Sequence, residues 1–147
     1  MSEALQIEIA RPPEVPADPR LPEAVRRVLA EADIRTAEIS LAVVGDAAMH
    51  ELNRRYLAHD YPTDVLSFVL EFDADARRLE GEIIVSYEYA AREAPRYGWS
   101  GADELLLYVI HGALHLVGYD DLDPDSRAVM RAAEARHLAH FGLQASR

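Results

Sequence analysis

The sequence contains no cysteine, which removes disulfides, thiol nucleophiles and thiolate-ligated metals and leaves His, Asp and Glu as the strong metal-ligating side chains. It contains no lysine either, so every permanently cationic side chain is an arginine, whose planar fork suits phosphate. No window approaches the roughly twenty apolar residues of a membrane-spanning helix, so no membrane partner is expected. The N-terminal segment, with Glu3, Glu8 and Arg11 around short apolar groups, lacks the basic-then-apolar order of a signal peptide, and a cytoplasmic location is expected. Positive charge is in deficit overall. A formal net charge of -11 argues against holding nucleic acid through the whole surface, so any RNA contact must use a local patch.

What remains is a chain of 147 residues, half of them hydrophobic, long enough for one core and read as a single domain over 1–147. Leu5 to Ile9 alternates as a strand, and Pro12, Pro13 and Pro16 force an extended connection after it. A helix follows with Pro22 in its first turn and Ala24, Val25, Val28 and Leu29 on its apolar face. Ala37 to Val44 reads as a second strand. Asp46 then caps a helix whose Met49, Leu52 and Tyr56 are spaced to face the core. Val65 to Phe72 and Gly81 to Ser86 read as strands joined in a hairpin across a polar turn from Asp73 to Glu80. A short helix from Tyr87 ends near Pro95 and Gly98. Ser100 and Asp103 have capping-box spacing before a helix apolar almost all round from Leu105 to Val117, which predicts a central buried helix. The last helix opens on Asp123 and Pro124 and runs through Val129, Met130, Ala133 and Leu138 toward Phe141 and Gly142.

The central helix carries the chemistry. His111 and His115 are four apart and therefore project from one face, where one metal ion can bridge them. An unpartnered buried imidazole is penalised by desolvation, and a metal removes that penalty. Gly112, costing roughly 1 kcal/mol relative to alanine in a helix interior, implies that something approaches the backbone closely there. Gly118 ends the helix and turns the chain so that Asp120 or Asp121 can reach the same ion as a third ligand. Three protein ligands plus water is a catalytic-zinc arrangement. Position 112 is Gly where a zincin carries its general-base Glu, which disfavours peptide hydrolysis. Asp123 and Asp125 read as a solvated cap of the final helix.

These residues resemble a known family. His-Gly-x-Leu-His-Leu-x-Gly-Tyr-Asp from 111 to 120 is similar to the signature of the YbeY family of endoribonucleases and ribosomal-RNA maturation factors. Leu52, Asn53, Tyr56, Asp60, Pro62, Thr63, Asp64, Val65, Leu66, Ser67 and Phe68 resemble its second block. Gly81-Glu82-Ile83-Ile84-Val85-Ser86 resembles its Gly-Asp-Ile-Val-Ile-Ser strand, and Met130 with Glu134 fits its C-terminal helix. The resemblance implies an α+β fold, a small mixed β-sheet packed against several helices, with a metal cleft between the central helix and the turn after it.

Two departures bear on the chemistry. The family's third metal ligand is a His six residues after the second, and that position is Asp121 here, which makes the implied set His111, His115 and Asp121. Carboxylate oxygen is an ordinary zinc ligand, so one Zn2+ per chain is expected, with a harder divalent metal such as manganese more competitive than at three imidazoles. The family's Tyr-Arg pair reads Tyr56-Leu57. Arg54, three residues before Leu57 and on the same helical face, is the substitute expected to hold a phosphate, although it also reads as a solvated surface residue beside Arg55. Glu82 and Asp64 are carboxylates that could orient a water, and both also have structural readings. The resemblance implies a metal-dependent endoribonuclease with ribosomal RNA and the ribosome as partners. The alternatives are a ribosome-associated binding factor with weak or no nuclease activity, and a metal hydrolase on another substrate.

Overall fold

The computed structural model describes residues 4–57 and 63–144. Asp60 and Pro62 of the Pro-Thr-Asp block lie outside these, as does the side chain of Leu57. In chain order the elements are β1 (Leu5–Ala10), α1 (Arg20–Glu31), β2 (Thr36–Val44), α2 (Asp46–Leu57), β3 (Val65–Asp73), β4 (Arg78–Ser86), α3 (Tyr87–Glu93), a 3-10 turn (Ala94–Tyr97), α4 (Gly101–Leu116) and α5 (Pro124–His140). The four strands form one mixed sheet of order β1-β2-β4-β3, parallel between β1, β2 and β4 and antiparallel between β4 and β3. The fold is α+β, with the expected small mixed sheet and central helix.

Along β4, Leu79, Gly81, Ile83 and Val85 point to the helical side and are buried. The alternation is the period-2 pattern of a strand with one face on a core. Against that face lies α4, which also packs on α1, α3 and α5. Its residues from Leu105 to Ile110 are all buried, and Leu106, Ile110 and Leu114 are fully so, each stabilising the fold by about 1.5–3 kcal/mol. On the other side of the sheet α2 packs against β4, where Met49 and Leu66 are buried apart from the main cluster. Two glycines set how closely α4 approaches. A Cβ on Gly112 would stand 2.8 Å from Ile83 Cγ2 and 3.0 Å from Val65 Cγ2, and one on Gly81 would meet Leu116 at 3.1 Å. The close approach expected at Gly112 is therefore made by the sheet.

Several expectations are corrected. Tyr56 does not face the core. It is 60% exposed and meets Phe68 edge-on at 6.1 Å, while Asn53 takes the buried position one turn earlier. β4 begins three residues before Gly81, because buried Leu79 continues its inward row through a polar stretch. Asp46 lies inside α2, and its carboxylate accepts from Ser86 Oγ at 3.1 Å and pairs with Arg92, tying α2 to α3. Ser100 does cap α4, accepting from the Asp103 backbone N–H at 3.1 Å. The Asp103 carboxylate turns instead to Arg20 at 2.8 Å.

Candidate metal centre

Near its C-terminal end α4 presents His111 and His115 from one face, as the i, i+4 spacing dictates. Their rings meet edge-on, and the two Nε2 atoms stand 3.1 Å apart. Val117 ends the helix, and Gly118 follows at φ +106, where a side chain would be strained. The Tyr119 N–H donates back to the Leu114 carbonyl at 3.0 Å, which closes the helix end and reverses the chain. The reversal carries Asp121 over the histidine pair. Its Oδ2 is 3.7 Å from His111 Nε2 and its Oδ1 is 3.9 Å from His115 Nε2.

Asp120 and Asp121 divide their tasks as adjacent residues in a turn must. Asp120 Oδ1 accepts from the Leu122 N–H at 3.2 Å, a local turn bond, and leaves Asp121 to face the imidazoles. Asp123 N-caps α5 by accepting from Ser126 N at 2.8 Å and from Ser126 Oγ at 3.1 Å. The sequence spacing thus brings His111, His115 and Asp121 together, with one ligand atom from each within 4.8 Å of the others.

The residue that organises this group comes from α5. Glu134, 3% exposed, accepts from His111 Nδ1 through Oε2 at 2.5 Å, and its Oε1 accepts from Arg131 at 2.9 Å. Burial works against ionising Glu134, but the bond and charge of His111 together with Arg131 outweigh it and hold its carboxyl below the ordinary value. A carboxylate on Nδ1 orients the ring so that Nε2 of His111 is the atom turned toward His115 and Asp121. Burial, with His111 beside it, holds His115 below the ordinary histidine value against the pull of Asp121. It is therefore neutral near pH 7, as a ligand must be. The donor set fits a small divalent cation. Nitrogens about 2.0–2.1 Å from a tetrahedral zinc stand roughly 3.3 Å from one another; here the two nitrogens stand 3.1 Å apart, and one ligand atom from each of the three residues lies within 4.8 Å of the others.

The remaining candidates lie elsewhere. Arg54, exposed on α2, bonds Glu51 Oε2 at 2.6 Å, one turn earlier on the same helix. Asp64 Oδ1 accepts from its neighbours' Val65 N–H at 2.8 Å and Thr63 hydroxyl at 3.3 Å, a structural use. Glu82 alternates with Gly81 and Ile83, so it projects from the sheet face opposite α4, and the water-orienting reading does not hold for it. In the sequence, Glu134 stood out only as part of a helix pattern. Its signal was available: a Glu four residues after Met130 falls on the apolar stripe, where a buried charge needs a partner.

A family model described as Endoribonuclease YbeY matches residues 13–142. Curated relatives named Endoribonuclease YbeY include a Rhodopirellula baltica protein, 41% identical over 132 residues, covering 83% of this chain and 67% of that protein. One from Moorella thermoacetica is 45% identical over 117 residues, covering 74% of this chain and 75% of its own. One from Chlorobium phaeovibrioides is 38% identical, covering 86% and 84%. Among solved structures, the solution structure of a Thermotoga maritima protein superposes with a TM-score of 0.59 at 27% identity, covering 91% of this chain and 86% of that one.

Proposed function

The chain belongs to the Endoribonuclease YbeY family, and from that premise we propose that it is a metal-dependent endoribonuclease of ribosomal-RNA maturation, with one zinc ion held by His111, His115 and Asp121. It acts as one domain in the cytoplasm, on RNA of the ribosome. The observation that carries the reading is the convergence of two Nε2 atoms and one carboxylate, with the rear nitrogen of His111 held by buried Glu134. Bound there, the ion supplies a water acidic enough to attack a phosphodiester and positive charge against the transferring phosphoryl group.

The chain's own residues set how well this works. Glu134 fixes the ring plane of His111. Asp121 adds a negative charge that a third imidazole would not, which makes the water less acidic and favours harder metals. Arg54 serves as a phosphate ligand by exchanging Glu51 for the substrate.

Metal analysis and RNA cleavage on the purified protein test the reading. One zinc per chain and cleavage of single-stranded RNA are expected, with both lost in a His111→Ala, His115→Ala double variant. A stoichiometry still near one in that variant would place the ion elsewhere, and a zinc-loaded wild type that leaves RNA intact would remove the nuclease assignment. Asp121→His is expected to keep or raise zinc affinity and to move the rising limb of the pH-rate profile to lower pH.

A further inference from the structure

A chain of net charge -11 that acts on RNA needs local cations beside its metal centre, and the arginines differ sharply in how they are committed. Arg20 is shared between the carboxylates of Asp18 and Asp103, Arg136 forks onto Glu31, and Arg92 is paired with Asp46. Such pairs already spend the guanidinium on anions.

Arg127 and Arg131 on α5 are placed differently. With Glu134 they occupy positions i, i+4 and i+7, one face of the helix, and Glu134 is the member that touches His111. Arg127 donates to the backbone carbonyl of Asp121 at 3.3 Å, and Arg131 donates to Glu134 Oε1 at 2.9 Å. Each is thus tethered to a different part of the metal group. Both side chains are exposed. Among the described residues each commits one of its five N–H donors, which leaves the rest of each fork available to a ligand. The carboxylates beside them are Asp121, Asp123 and Glu134, and Glu134 already serves His111 with its other oxygen.

From this juxtaposition we infer that Arg127 and Arg131 form a phosphate-binding rim on the metal centre, gripping neighbouring backbone phosphates of a single-stranded RNA beside the scissile one. The inference rests on the nuclease reading and adds to it the residues that hold the substrate backbone. The two side chains, an i, i+4 pair with Cβ atoms about 5–6 Å apart, face one strand side by side. The rim is a second source of phosphate affinity on a different helix from Arg54.

The test compares zinc-loaded wild type with Arg127→Gln, Arg131→Gln and the double variant, using a 12-residue single-stranded RNA across a range of salt. Arg96→Gln, which removes an arginine paired within its own turn, is the control. For single strands each phosphate contact contributes about 0.7 to the slope of log affinity against log salt, which amounts to about five-fold per contact at 0.1 M relative to 1 M. The double variant is expected to raise KM about 25-fold, to flatten the salt slope by about 1.4, and to keep one zinc per chain. Wild-type KM and slope in the double variant would overturn the rim while leaving the nuclease reading intact. The rim is equally overturned if kcat falls with zinc content while KM and slope hold. If wild type cleaves no RNA, the nuclease reading fails first, and fluorescence anisotropy with the same RNA decides the rim. A slope flattened by about 1.4 supports it, and equal slopes or no binding reject it.

Discussion

Replacing Gly112 by alanine sets two opposed effects against each other at one position. Alanine favours a helix interior by roughly 1 kcal/mol over glycine. The new methyl, however, would lie 2.8 Å from Ile83 Cγ2 and 3.0 Å from Val65 Cγ2, well inside the 3.5–4.0 Å at which carbon atoms attract. Both neighbours are β-branched, with stiff χ1 angles on paired strands, so α4 must lift instead. Overpacking of this kind costs about 1–3 kcal/mol, and the net expectation is a destabilisation of up to about 2 kcal/mol. Lifting α4 also displaces His111, the preceding residue, from Glu134, so zinc affinity should fall with stability. Chemical denaturation of Gly112→Ala, Ile83→Ala and the double variant, with and without zinc, measures the coupling. In the Ile83→Ala background the nearest clash is gone, and the alanine should be at least 1 kcal/mol less costly than in wild type. A coupling within about 0.5 kcal/mol of zero, the range of independent sites, would refute the steric account.

Glu134→Gln should weaken zinc binding about 10- to 100-fold, the usual consequence of altering the partner of a ligating histidine, while the chain stays folded. Competition with a chromophoric chelator reads that loss, and unchanged affinity would remove Glu134 from the centre. His137 on α5 is buried with neither ring nitrogen hydrogen-bonded among the described residues, although its Nε2 stands 3.3 Å from Glu31 Oε1. Burial, aided by Arg136, holds it below the ordinary histidine value despite Glu31. Its neutral form is thus favoured in the fold, so its share of stability is full above about pH 6.5 and is lost as pH falls below that value, where the unfolded chain takes up the proton. His137→Leu should therefore raise stability by about 1–2 kcal/mol and flatten the loss between pH 6.5 and 5. Thermal unfolding across that range checks both.

Period and punctuation made most of the architecture legible. Ser100 before an apolar run, Asp123-Pro124 before another, and the alternation of β2 each correspond to one element with nearly the expected bounds. The histidine pair was legible for the same reason, since i, i+4 residues share a helix face, whereas the glycine turn left Asp120 and Asp121 both open and the family resemblance singled out Asp121. What the pattern missed shares one cause. Asn53, Glu134 and His137 are polar yet inside, while Tyr56 is apolar yet outside. Periodicity along one element does not register partners on another, such as the His111 imidazole that makes the burial of Glu134 tolerable. The start of β4 was hidden similarly. Its hairpin turn places Arg77, neither Gly nor Asn, at φ +54, so the polar composition from Asp73 to Glu80 marked a turn without marking its end.

The proposed ligand atoms come from one short stretch, residues 111–121, but the carboxylate on His111 comes from residue 134, beyond a capped turn and three helical turns of α5. If the proposed ion is held there, its occupancy and the docking of the last helix are linked equilibria. An ion that binds the assembled site at a hundred times its Kd adds about 2.7 kcal/mol to the docked state. In a metal-starved cell the chain would be distinguished first by a looser C-terminal helix, open to proteases, and its abundance would then follow the supply of the ion.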